Sequence, residues 1–178
     1  GFDDDGQFED ITHNAFASGI TELTVHARTK VQAYRPPAHW STLRSIHNSR
    51  GIPVIANGEI WTPSDLLQCR KVSGCNAFML ARGAVCRPDL ARAILAHDQG
   101  QRVDPMTWEE ITELLVHFFD ANSALYERKF AINPVKQWLV YLQHAYPQAA
   151  ALFAQIKRIR DPDPMRAALI GANQSVAA

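Results

Sequence analysis

Over the first hundred residues, short apolar runs alternate with stretches of helical periodicity. Glu22–His26 (ELTVH), Pro53–Ala56 (PVIA) and Ala77–Leu80 (AFML) are nearly all apolar, the pattern of strands buried on both faces. Between them the periodicity predicts helices at about Phe8–Ser18, Trp40–Asn48, Thr62–Ser73 and Asp89–His97, and Pro63 is preset for a first helical turn. The order αβαβαβα predicts parallel βαβ units, an α/β fold.

After Pro105 the strand pattern stops. Helices are predicted at about Thr107–Phe130, Pro134–Ala145, Gln148–Ile159 and Pro164–Gly171, which reads as an all-α helical bundle. Their aromatic residues Phe118, Phe119, Trp138 and Tyr141 are spaced as an apolar stripe and are expected to fill its core. The polar segment Gln99–Pro105 (QGQRVDP), with Gly and Pro, separates a domain 1–100 from a domain 106–178.

At 178 residues the chain buries a good core yet is shorter than the roughly 250 residues of a complete eightfold α/β barrel. Lys plus Arg (18) offsets Asp plus Glu (18), so net charge selects no partner and nucleic-acid binding has to be argued from where the charges fall. Cys69, Cys75 and Cys86 form no CxxC pair and no Cys/His spacing suited to zinc, so no metal is expected. Their odd number suits a reducing compartment, and cytoplasm is the plain expectation. No apolar run approaches the roughly 18 residues of a membrane span, and the acidic segment Gly1–Asp5 is unlike a signal peptide.

Each predicted strand ends in a polar or glycine-containing segment, at the carboxyl edge where α/β barrels place their chemistry. Asn57, Gly58 and Glu59 follow the second strand, where a glycine lets backbone N–H groups approach an anion; a plain βα turn accounts for them equally well. Arg82 and Gly83 end the third strand and offer a guanidinium and a close approach to the same anion. His26 ends the first strand, ahead of the cations Arg28 and Lys30. It is either a hydrogen-bonded structural residue or a donor to a cofactor carbonyl or a substrate base. On the long loop that follows, Tyr34 and Arg35 are the better substrate candidates, and Trp40 reads as a packing anchor. In the helical part Arg128, Lys129 and Lys136 form one basic cluster, and Lys157, Arg158 and Arg160 another. Such clusters serve either as solvated helix faces or as RNA contacts.

Taken together, V-H-A-R-T-K-V-Q-A-Y-R (Val25–Arg35), I-P-V-I-A-N-G-E-I (Ile52–Ile60) and M-L-A-R-G-A (Met79–Ala84) resemble the tRNA-dihydrouridine synthases. V-K-Q-W-L-V-Y (Val135–Tyr141) resembles the helical tail of the bacterial C subfamily, which acts on the D-loop uridine at position 16. The resemblance implies the C-terminal part of a TIM (β/α)8 barrel, with three of its strands, followed by a helical tRNA-binding domain. It further implies reduction of a tRNA uridine to dihydrouridine with FMN as cofactor and NADPH as electron donor. By that resemblance His26, Asn57, Gly58, Glu59, Ala81, Arg82 and Gly83 belong to the FMN site. Arg28, Tyr34, Arg35, Arg128, Lys129 and Lys136 face the tRNA. The full-length protein is expected to be a monomer, away from membranes.

Two positions depart from the family by a methyl, Ala27 and Ala81 standing where Gly is common. A larger departure is that nothing in the chain matches the family's Asn-Cys-Gly-Cys-Pro stretch or its flavin-facing lysine, so these 178 residues by themselves are expected to lack catalytic competence. Two rivals fit less of the sequence. Another FMN-dependent barrel oxidoreductase leaves the basic helical tail unexplained, and a non-catalytic RNA-binding module leaves the phosphate-type loops without purpose.

Overall fold

The computed structural model of the chain describes residues 3, 6–49, 51–127 and 129–174. It comprises two compact units, Gly1–Ala84 with Leu90–Arg102, and Val85–Asp89 with Val103–Ala178. The short piece Val85–Asp89 groups with the helical unit, an assignment that the composition of the Gln99–Pro105 segment does not reveal.

In the first unit three parallel strands, β1 (Leu23–His26), β2 (Val54–Asn57) and β3 (Ala77–Met79), lie in sequence order. They pair in a register that sets His26 beside Asn57 and Asn57 beside Met79. Helices α1 (Phe8–Ala17), α2 (Leu43–Ser49) and α3 (Pro63–Ser73) alternate with them, and α5 (Leu90–Asp98) belongs to the same unit. The start of α3 follows from local chemistry: Thr62 accepts from the Asp65 amide, Asp65 accepts from the Thr62 amide, and Pro63 occupies the first turn. The expected single helix at Trp40–Asn48 instead opens as a 3-10 turn, Trp40–Thr42, before α2. A further helix, α4 (Arg82–Cys86), follows β3 directly where a loop was expected.

The core of this unit gathers Val25, Leu43, Val54, Ala56, Leu66 and Leu90. The expectation of three strands buried on both faces is corrected. Only β2, the middle strand, alternates between buried and half-buried. β1 exposes Thr24 and His26, and β3 exposes Met79. Each outer strand pairs along one edge only among the described residues, which leaves its far side less covered.

The second unit is built from α6 (Trp108–Leu125), α7 (Ile132–Leu142), α8 (Pro147–Ile156) and α9 (Pro162–Gln174). Ile111, Leu115 and Phe119 of α6 meet Val135, Leu139 and Leu142 of α7, together with Leu152, Ile156, Met165 and Leu169. A reciprocal Thr107–Glu110 cap opens α6. This helix ends five residues before the predicted Phe130 because its inward apolar stripe runs out: Leu125, Tyr126 and Phe130 are all exposed, so nothing buried sustains another turn. Pro134 sits inside α7, in the first turn, where its missing N–H costs no helical bond. Of the aromatic residues expected in the core, Phe119 is buried. Phe118 and Trp138 pack edge to face with ring centroids 5.0 Å apart, whereas Tyr141 is exposed.

All three cysteines are reduced and buried. Burial pushes the Cys69 thiol up to about 11, so its environment favours packing over nucleophilic chemistry.

Candidate functional site at the carboxyl edge of the sheet

Three strand ends meet at one edge through side chains. His26 Nδ1 lies 2.7 Å from Asn57 Oδ1, and Asn57 Nδ2 donates to the Met79 carbonyl at 2.8 Å. Because a carbonyl only accepts, the Met79 contact fixes which end of the amide faces His26. Asn57 Oδ1 then has to accept, so the proton sits on Nδ1. A neutral His26 therefore presents Nε2 as an acceptor, and it donates from Nε2 only as an imidazolium. The sequence expectation of a donating histidine is narrowed accordingly.

Past Asn57 the backbone turns through two positive-φ residues, Gly58 (φ +118°) and Glu59 (φ +58°). A Cβ on Gly58 would meet Ala38 and the His26 ring at an ordinary 3.5 Å, so the left-handed backbone, not lack of room, calls for glycine here. The Gly58 carbonyl is taken by Trp40 Nε1 at 2.9 Å, which gives that tryptophan a role in holding the turn besides packing. Gly83 has a different reason. A Cβ there would collide with the Ile60 carbonyl oxygen, so the residue lets the start of α4 lie against the loop after β2.

Arg28 does not reach out to a substrate. Its side chain is fully buried, ion-paired with Glu59, and its Nε donates to the Arg35 carbonyl at 3.0 Å. In this structure Arg28, expected at the substrate, forms an internal tie between the loops after β1 and β2. Glu59 is engaged on its other oxygen as well, Oε1 accepting from Trp61 Nε1 at 2.8 Å. With both oxygens held, its carboxylate serves the loop. Burial, and then the nearby Arg82, lower the pKa of Arg28, so Glu59 offsets one of two neighbouring cations.

Arg82 is the other. Its guanidinium lies 4.1 Å from the centroid of the Tyr34 ring and 5.3 Å from that of Trp61, and among the described residues no carboxylate is paired with it. His26, Tyr34, Asn57, Gly58, Trp61 and Arg82 line an open pocket of about 270 Å³, with Glu59, Ala81 and Gly83 also at its wall. That falls short of the roughly 300–1,000 Å³ of sites that enclose a whole drug-sized ligand, and suits one end of a larger molecule. An unpaired guanidinium, a Cβ-free turn and an imidazole around one open pocket fit a phosphate group. Arg35 lies outside this lining and donates from Nη2 to the Val31 carbonyl at 3.0 Å. Sequence reasoning missed Trp61, although its place directly after the N-G-E-I run was signal enough to include it.

The basic residues of the helical unit separate sharply. Lys136 Nζ donates to the carbonyls of Lys157 (3.0 Å) and Ile159 (2.6 Å), capping the end of α8. Desolvation, followed by nearby Arg160, lowers its pKa. In this structure the Lys136 amine, expected to face tRNA, is thus engaged by two backbone carbonyls. Lys129 is exposed, pairs with Glu127 at 2.8 Å and lies 4.7 Å over the Phe130 ring. Arg128 lies outside the described residues. Among the described residues no helix is long and apolar enough to cross a membrane, and no group of three His, Cys, Asp or Glu side chains suits a metal ion.

Comparison with known proteins bears on this geometry. The family model described as dihydrouridine synthase matches residues 1–176. A tRNA-dihydrouridine(16) synthase of Pseudomonas putida is 44% identical over 162 residues, covering 90% of this chain and 50% of the relative. One from Aquipseudomonas alcaligenes is 43% identical over 143 residues (80% and 45%). One from Neisseria meningitidis serogroup A is 40% identical over 149 residues (83% and 45%). The chain spans about half the length of the curated relatives it matches.

Proposed function

The chain belongs to the dihydrouridine synthase family, and from that premise we propose that it forms the flavin-phosphate and RNA-docking part of an enzyme that reduces uridine 16 in the tRNA D-loop to dihydrouridine. Its three parallel strands correspond in this reading to the last strands of a (β/α)8 barrel, and its helical unit to the tRNA-binding domain that follows. The carrying observation is Arg82, unpaired by any carboxylate among the described residues and set at a pocket wall beside Gly58. A phosphate monoester brings close to two negative charges and acceptor oxygens suited to a guanidinium fork.

FMN would be held at its phosphate by Arg82 and the Gly58 turn, with His26 and Ala81 lining the same pocket. When bound, the flavin would supply the hydride and a proton donor the accompanying proton, which together saturate the uracil C5–C6 double bond, with NADPH as the source of electrons. The residues of this chain bind and orient: Asn57 fixes the His26 ring, and Arg28 with Glu59 fixes the turn. On the helical unit, Lys129 over the exposed Phe130 ring offers a cation and a stacking surface to RNA, and the Tyr126 ring is exposed as well. Its exposed pair with Glu127 is weak enough to yield to a nucleic-acid phosphate.

The test is Arg82→Ala. Loss of a charge-assisted contact worth roughly 1.5–3 kcal/mol weakens FMN binding by about one to two orders of magnitude. Riboflavin, which lacks the phosphate, should bind as before, and Arg82→Lys should restore FMN only in part because an ammonium has no planar fork. Equal losses for FMN and riboflavin would assign Arg82 to the fold and overturn the reading.

A further inference from the structure

Resting on the flavin-phosphate reading, we infer that Tyr34 and Trp61 form an aromatic clamp that holds Arg82 ready for an anion, and that buried Arg28 sets both rings. Tyr34 is thereby a positioning residue for the cofactor end of the pocket.

The two rings reach Arg82 from different loops, Tyr34 after β1 and Trp61 after β2. Each is tied to Arg28. Its Nε holds the carbonyl of Arg35, next in the chain to Tyr34. Its other end is ion-paired with Glu59, whose free oxygen takes the Trp61 indole N–H. The turn carrying Tyr34 is closed further by Thr29 N–H to Gln32 Oε1 (2.8 Å) and Gln32 N–H to Thr29 Oγ1 (3.2 Å). Tyr34 is nevertheless 67% exposed, so burial does not account for where its ring lies. Aromatic faces attract a guanidinium without using its N–H donors. Arg82 is therefore restrained while its hydrogen-bonding edge stays available, and less rotamer freedom is lost when a phosphate arrives.

The experiment compares Tyr34→Leu and Tyr34→Phe in the full chain, titrated with FMN and with riboflavin and followed by flavin fluorescence. The Arg82 Nε–H resonance is read alongside by NMR. A ring over the guanidinium shields that proton, so the resonance moves downfield in Tyr34→Leu and stays in place in Tyr34→Phe. A cation–π contact at an exposed site predicts about a two- to fivefold loss of FMN affinity in Tyr34→Leu, with riboflavin unchanged and Tyr34→Phe close to wild type. Adding Tyr34→Leu to Arg82→Ala should cost nothing further.

If Tyr34→Leu keeps the wild-type preference for FMN over riboflavin, or weakens both flavins alike, the inference is wrong while the phosphate reading stands. If the wild-type chain itself shows no preference for FMN, the phosphate reading fails and takes the inference with it.

Discussion

His26 and Asn57 are register partners on adjacent strands, and their side chains repeat that pairing one layer out, Nδ1 to Oδ1 at 2.7 Å. The bond makes the orientation of an exposed ring a property of the sheet. Because Asn57 is anchored in turn to the Met79 carbonyl, all three strand ends set the tautomer of one imidazole. Nitrogen-15 NMR should find neutral His26 protonated at Nδ1. In Asn57→Leu, which removes the acceptor, the proton should redistribute toward Nε2. An unchanged tautomer in that variant would show that Asn57 does not direct the ring.

Among the described residues of the first unit, Arg28 and Glu59 form the least solvated charge pair, with side-chain exposures of 0% and 20%. Removing one partner leaves a charge that neither water nor protein fully compensates, a loss of about 3 kcal/mol for pairs of this kind. Arg28→Ala should lower stability by about that amount in urea unfolding. Replacing both residues, Arg28→Met with Glu59→Gln, should recover part of it, since no stranded charge remains. A double variant less stable than Arg28→Ala would show that the pair contributes more than mutual neutralisation.

The strands, most helices and the pocket-lining residues at their carboxyl ends were legible because each depends on local signals: apolar runs, Pro63 after Thr62, and glycines at strand ends. What the sequence hid is which way long side chains turn. Arg28 stands two residues from His26 and reads as another cation on the same edge, yet it folds inward because a carboxylate 31 residues away waits there. Lys136 similarly reads as one of a basic trio, and carbonyls more than twenty residues away claim its amine. Gly83 reads in the sequence as room for an anion, and what approaches it in the structure is the Ile60 carbonyl. Long-range partners of this kind leave no periodic trace along the chain.

The same distinction separates two lysines that the sequence treats alike. If the helical unit docks on tRNA, exposed Lys129 contributes to binding through phosphate charge, and affinity falls with salt in proportion to the phosphates neutralised. Lys129→Ala should weaken tRNA binding and reduce the slope of log affinity against log salt by about 1. Lys136 is spent on the Lys157 and Ile159 carbonyls, so Lys136→Met should leave that slope unchanged. It should instead lower the unfolding midpoint of the chain, because two carbonyls at the end of α8 lose their donor. Binding measured across a range of salt concentrations for both variants, with urea unfolding alongside, separates the two roles. A salt slope that drops for Lys136→Met and not for Lys129→Ala would reverse the assignment and move the RNA contact to the α8 end of the bundle.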